Sequence, residues 1–263
     1  YSNMSEFTKA FDYEKEFNAR LYLDTYFHLG SGSLADDFLR FELANLHKIF
    51  TSGGVTGKTL IDIGTCPSIY HLLSACESFN EIIATWYTQT ELHELQMWMN
   101  KDQGAFDWSS VVKHVCELEG KSGKCQEKED KLRGKIKQVL HCDVSKNNPL
   151  EPVVLPKADC LIAAVCLEAA CRNQNSYITA LKNLSNLLKP EGHLILAGDL
   201  GANYYEVGPN KIFSLAVSEQ SLRNALSESG YAIRELVSFG KPEGADFDNS
   251  DYEGFYFIHA QKP

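Results

Sequence analysis

No stretch of this sequence approaches the ~20 consecutive apolar residues a helix needs to cross a bilayer, so no membrane span is expected. Basic residues are in short supply. Against 35 Asp and Glu there are only 25 Lys and Arg, a formal charge of −10, and phosphate binding depends on clustered cations; no nucleic-acid partner is expected. The eight cysteines (Cys66, Cys76, Cys116, Cys125, Cys142, Cys160, Cys166 and Cys171) form no CxxC pair, and no His stands at a zinc-finger offset, so no metal site is expected. Residues 1–10 have no basic segment leading into an apolar run, which predicts no secretory leader there. Internal repeats and low-complexity tracts are also missing. The cysteines read as buried free thiols in a reducing, cytoplasmic setting, with Cys66 and Cys125 set apart by their places in loops.

What remains is an ordinary globular composition, 44% hydrophobic and 23% charged over 263 residues, enough for one large domain spanning 1–263. Helical spacing marks residues 12–26 and, after a Gly/Ser break at 30–33, residues 35–50, where Leu39, Leu43 and Leu46 share a face. Strand and helix then alternate: strands at 59–63, 81–85, 136–142, 158–164 and 193–197, helices at 68–76, 91–100 and 175–188. The charge run 126–137 mixes signs at helical spacing, as a solvated helix face does. A hairpin is expected around residues 208–210, a helix at 218–228 and two closing antiparallel strands at 233–239 and 254–260. The alternation predicts parallel βαβ units and a doubly wound α/β sheet.

In such sheets ligands bind beyond the carboxyl ends of the strands, where strand order reverses. The segment Asp62 to Ser68, an acid-bearing strand and a Gly turn, is the place to look. On its own it is as compatible with a structural turn as with a nucleotide loop. The run LIDIGTCPSIYHLLSACESF at 60–79 closely resembles the nicotinamide, indolethylamine and phenylethanolamine N-methyltransferase family. So do GAFDWS at 104–109, CELEG at 116–120, LPKADC at 155–160, LLKP at 187–190 and DYEGF at 251–255. The resemblance covers essentially the whole chain. It implies a Rossmann-like, seven-stranded, mostly parallel sheet (51–263) with a helical N-terminal lid (1–50). It also implies S-adenosylmethionine as methyl donor and a small amine or pyridine nitrogen as acceptor, a reaction that needs mainly proximity and alignment.

Carried over position by position, the resemblance places Tyr22 and Tyr26 in the lid, Gly64 and Thr65 in the loop, and Tyr70 at the methionine carboxylate. Tyr87 lies beside the cofactor, Asp143 and Val144 bracket the adenine, and Tyr205, Ser214 and Gly198 line the acceptor pocket. No residue is assigned a catalytic role. Departures fall at the tightest contacts. The family reads Asp-Ile-Gly-Ser-Gly-Pro, and Cys66 replaces the second Gly, where backbone runs against cofactor. Trp86 stands where an acid should take both ribose hydroxyls, and its indole is expected to fill that space. A lost charged acceptor costs ~1.5–3 kcal/mol per bond, so two such bonds amount to roughly a hundredfold or more in affinity. Glu91 replaces a neutral polar residue and offers a carboxylate from another backbone position, while Ala164 removes a hydroxyl; GKPEGAD at 240–246 and Cys125 also depart from the pattern. The sequence thus predicts an impaired or inactive relative, a pseudoenzyme serving small-molecule binding or a structural role. An active amine N-methyltransferase is the alternative, and a redox use of Cys66 a third. The acceptor and the oligomeric state are left open.

Overall fold

The computed structural model describes residues 16–30, 34–52, 54–64, 67–245 and 249–263. Two helices come first, α1 (Ala19–Tyr26) and α2 (Leu34–Thr51), followed by β1 (Gly57–Asp62), β2 (Phe79–Trp86) and α3 (Gln89–Met99). Then come α4 (Ser109–Leu118), α5 (Cys125–Lys135), β3 (Ile136–His141), β4 (Ala158–Ala164), α6 (Leu167–Ala170), α7 (Gln174–Ser185) and β5 (Leu188–Leu200). The chain ends with a hairpin of β6 (Tyr204–Val207) and β7 (Asn210–Phe213), then α8 (Glu219–Glu228), β8 (Ala232–Gly240) and β9 (Gly254–Gln261).

The main sheet has seven strands in the order β3-β2-β1-β4-β5-β9-β8, and β6–β7 stands apart from it. Strands β1 to β5 pair in parallel, whereas β9 runs antiparallel to both β5 and β8. The expected doubly wound sheet is therefore present. Adjacent strand residues part to opposite faces: Leu60, Ile82 and Ile195 pack with α2 and α4, while Ile61, Ile83 and Leu196 pack with α7 and α8. Each such side chain, fully withdrawn from water, contributes about 1.5–3 kcal/mol.

Sequence explains why the helices start where they do. Thr88 and Glu91 cap α3 reciprocally, as do Asn173 and Ser176 for α7 and Ser218 and Ser221 for α8. Helix α2 opens with Asp36 and Asp37, ends near Lys48, and buries Leu39, Leu43, Leu46 and Ile49 against the sheet. The expected helix at 68–76 is instead two 3₁₀ turns, Tyr70–Leu72 and Ala75–Glu77. Every residue from 67 to 76 is buried, and tertiary contacts of Tyr70 and His71 fix the segment more tightly than helical spacing does. Helices α4 and α6 were not anticipated.

Candidate functional site

Strand order reverses between β1 and β4, and a cavity of about 340 Å³ opens beyond their carboxyl ends. Its floor is the turn after β1. Gly64 adopts φ +60°, and a Cβ there would come 2.8 Å from Cys166 Sγ, so both conformation and space call for glycine. Thr85 of β2 splices the turn to its neighbour: its Oγ1 donates to the Asp62 carbonyl and accepts from the Gly64 N–H, both at 2.7 Å. Below, Asp62 Oδ1 meets His71 Nε2 at 2.9 Å with both groups sealed from water; burial raises the Asp62 pKa while His71 pulls it down. Across the mouth, Val165 follows β4 at φ 51°, a strained conformation for a β-branched residue.

Of the residues expected around a cofactor, Tyr22, Gly64, Tyr87, Glu91, Asp143, Val144 and Ala164 do line this cavity, and so does Tyr205. Asp143 Oδ1 accepts from the Ser145 N–H and hydroxyl, and Asn183 Nδ2 donates to the Val144 carbonyl, which fixes this wall. Thr65 and Cys66 lie outside the described residues, as does Asp246.

Four placements depart from expectation. Trp86 does not line the cavity: its indole packs on the buried core and edge-on to His141, with ring centroids 4.8 Å apart. The side chain of a strand-end residue leaves the sheet toward one face, and here the apolar face claims it. Glu91 Oε2 accepts from the N–H groups of Tyr87 and Thr88, so this oxygen is engaged in starting α3. Tyr26 is outside the cavity as well; its hydroxyl donates to the Glu206 carbonyl at 2.6 Å and pins α1 to the hairpin. Tyr70, expected at the methionine carboxylate, is fully buried and donates to Glu42 Oε2 at 2.5 Å.

The acceptor-side residues divide likewise. Gly198 faces away from the cavity, and a Cβ there would lie 3.2 Å from the Tyr256 hydroxyl and 3.3 Å from Glu168 Oε1. Ser214 is buried beneath the hairpin, its N–H donating to the Asn203 carbonyl.

Sequence reasoning missed three acids nearby: Glu42, Glu168 and Asp199. Burial pushes Glu42 well above the usual carboxylate range and raises Glu168 and Asp199 each to about 7. The signal for Glu42 was an acid on the Leu39–Leu43 face of α2. That for Asp199 was an acid in phase with Ile195 and Ala197. Among the described residues no group of three or more His, Cys, Asp or Glu side chains could hold a metal ion, and no helix is long and apolar enough to cross a membrane. Cys76, Cys116, Cys142, Cys160 and Cys171 are buried free thiols; Cys125 and Cys166 are half-buried.

A glycine turn, a strained strand end and an acid, Asp143, line the cavity at the switch point. The model of the NNMT/PNMT/TEMT family matches residues 5–263. The chain belongs to that family. It is 46% identical over 259 residues to nicotinamide N-methyltransferase of Sus scrofa, covering 98% of this chain and 97% of that one. It is also 43% identical over 254 residues to indolethylamine N-methyltransferase of Mus musculus, covering 95% of each. Among solved structures, magnesium protoporphyrin IX methyltransferase from Synechocystis PCC 6803 with bound SAH superposes with a TM-score of 0.59 over 97% of this chain and 99% of that one, at 11% identity. That likeness concerns the fold. The chain is thus a member of an N-methyltransferase family on a class I methyltransferase fold, with S-adenosylmethionine the donor by family.

Proposed function

We propose that this chain is an N-methyltransferase relative with weakened S-adenosylmethionine binding and impaired catalysis. The observation that carries this reading is the engagement of both expected polar anchors by the protein itself. The Tyr70 hydroxyl goes to the buried Glu42 carboxyl, and Glu91 Oε2 caps α3, while Trp86 removes the acid at the end of β2. The adenine end suits the nucleotide: Asp143 and Val144 line the cavity, and one Asp143 oxygen is held by Ser145 in position to present the other. The ribose and methionine ends suit it poorly. The small-molecule cleft, the acidic balance and the free thiols support a cytoplasmic, ligand-binding role without nucleic acid.

A second reading, an active N-methyltransferase acting on a small amine, is favoured by one observation: the Trp86 indole stays outside the cavity, leaving its volume open. Calorimetric titration with S-adenosylmethionine separates the two. The unaltered chain should bind weakly, and Trp86→Asp with Glu42→Leu should bind roughly a hundredfold more tightly, the value of two charged hydrogen bonds. Tight binding by the unaltered chain overturns the impaired reading in favour of the active one.

A further inference from the structure

The chain carries six arginines against 35 Asp and Glu, so an arginine here finds a partner easily. Arg20 pairs with Glu94 on α3, Arg133 with Asp130 and Arg223 with Glu219. Arg40 reaches His114, and Arg234 donates to Gln261. Arg172 is the exception. Its backbone N–H donates to the Ser176 hydroxyl, but its guanidinium has no hydrogen bond or ion pair among the described residues.

This uncommitted arginine lines the cavity, and among the described residues it is the only Lys or Arg that does. Local structure holds it there. Ala169 and Ala170 of α6 form the wall just before it, Cys171 beside it is buried, and Ser176 in the first turn of α7 fixes its backbone. The hairpin stands on the same side. Just beyond β7, the Leu215 N–H donates to the Glu168 carbonyl at 2.7 Å, which sets the hairpin end, with Phe213 on the cavity wall, against α6. The two acids of the cavity are engaged elsewhere: Asp143 Oδ1 accepts from Ser145, and Glu91 Oε2 accepts from the N–H groups that open α3. Neither forms an ion pair with Arg172 among the described residues.

A guanidinium presents five N–H donors in a planar fork that meets a carboxylate or phosphate two bonds at a time. Its surroundings here are Tyr205, Ile212 and Phe213, a largely apolar wall with ring faces. A polar group convergent on such a wall selects a flat apolar body with a head of opposite charge. The net charge of −10 repels anions in general, so an anion settles only where a local cation outweighs that field. We infer that Arg172 makes the cavity an anion-receiving site: its fork takes the carboxylate or phosphate head of a small aromatic ligand whose ring lies along the hairpin wall. This deepens the reading of the cavity as a small-molecule cleft and rests on it, but not on whether S-adenosylmethionine binds well.

The test is calorimetric titration of the full chain at neutral pH with nicotinate, nicotinamide and phenyl phosphate, each without S-adenosylmethionine. Nicotinate and nicotinamide share a ring and differ by a carboxylate against a neutral amide, so their ratio reads the charge. The unaltered chain should bind nicotinate or phenyl phosphate about tenfold more tightly than nicotinamide. That is the low end for a charged hydrogen bond, because Arg172 is exposed and solvent screens it. The tighter anion identifies the head group. Arg172→Gln should bring both anions to the level of nicotinamide and leave nicotinamide within about twofold. Arg172→Lys, which keeps the charge and loses the fork, should retain part of the preference. Added salt should narrow the ratio in the parent and leave it unchanged in Arg172→Gln. Nicotinamide bound by the parent as tightly as either anion overturns the inference, and so does an anion preference that survives Arg172→Gln. A separate titration with S-adenosylmethionine keeps the two readings apart: donor binding without anion binding sinks the anion site alone, and binding of no ligand at all sinks the cleft with it.

Discussion

Replacing Asp199 by Asn should make the protein more stable at alkaline pH, and by an amount that depends on pH in a defined way. Burial raises this carboxyl from an ordinary value of 3.8 to about 7 in the folded chain. The folded state therefore holds a proton that the unfolded state releases, and stability falls as pH rises from the unfolded value toward the folded one. A tenfold change in proton affinity is worth about 1.4 kcal/mol. The rise from 3.8 to about 7 thus costs about 4 kcal/mol at pH 8 and under about 2 kcal/mol at pH 5. These are upper values, because Asp199 is only half-buried and solvent screens part of the cost. Asn keeps nearly the same shape and carries no charge at any pH. Urea unfolding followed by circular dichroism, on parent and variant at pH 5 and pH 8, reads the difference directly. The variant should gain stability at both, and markedly more at pH 8. A variant no more stable than the parent at pH 8, or one with the same gain at both pH values, refutes the burial of this carboxyl as the cause of its raised pKa.

Other expectations concern the frame of the cleft. Thr85→Val removes the hydroxyl that joins Asp62 to Gly64 and leaves the Gly64 N–H without its acceptor. It should cost about 1–3 kcal/mol in urea unfolding and weaken any ligand of the cavity. Leu43→Ala, on the buried face of α2, should cost about 2–5 kcal/mol in the same measurement. His259 lies 2.9 Å from His193 between β5 and β9, and burial, then the His193 charge, lower its pKa to about 4. Its contribution is complete above the unfolded pKa near 6.5 and is lost as pH falls from there toward 4; with solvent screening, His259→Gln should remove about 1–2 kcal/mol of acid sensitivity in that window.

The fold was readable because its signals are local and repeated. Alternate apolar residues such as Leu60 and Ile61 serve two faces, and helical spacing marks amphipathic helices such as α2. The segment 68–76 misled because its helical spacing reflects complete burial, not one buried face. At the site, position along the chain was legible and side-chain direction was not. Trp86 was expected to fill the cavity, yet its ring packs on the buried core and lines no part of that space. Tyr70 occupies the family's place, but its hydroxyl is committed by a residue from another element.

The acid at position 42 could have been flagged on its own, since an ionisable group on an apolar helix face is an inconsistency between local pattern and burial. The same holds for Asp199 at the end of an apolar strand. What a single sequence does not contain is that α2 packs against β9, beside the strand β5 that carries Asp199 at its end, within electrostatic reach of Glu42. Either acid alone would be a destabilising exception that a nearby Lys or Arg could offset. Burial raises the Glu42 pKa first, and Asp199 and Glu168 raise it further, so each acid added near Glu42 makes it harder to ionise.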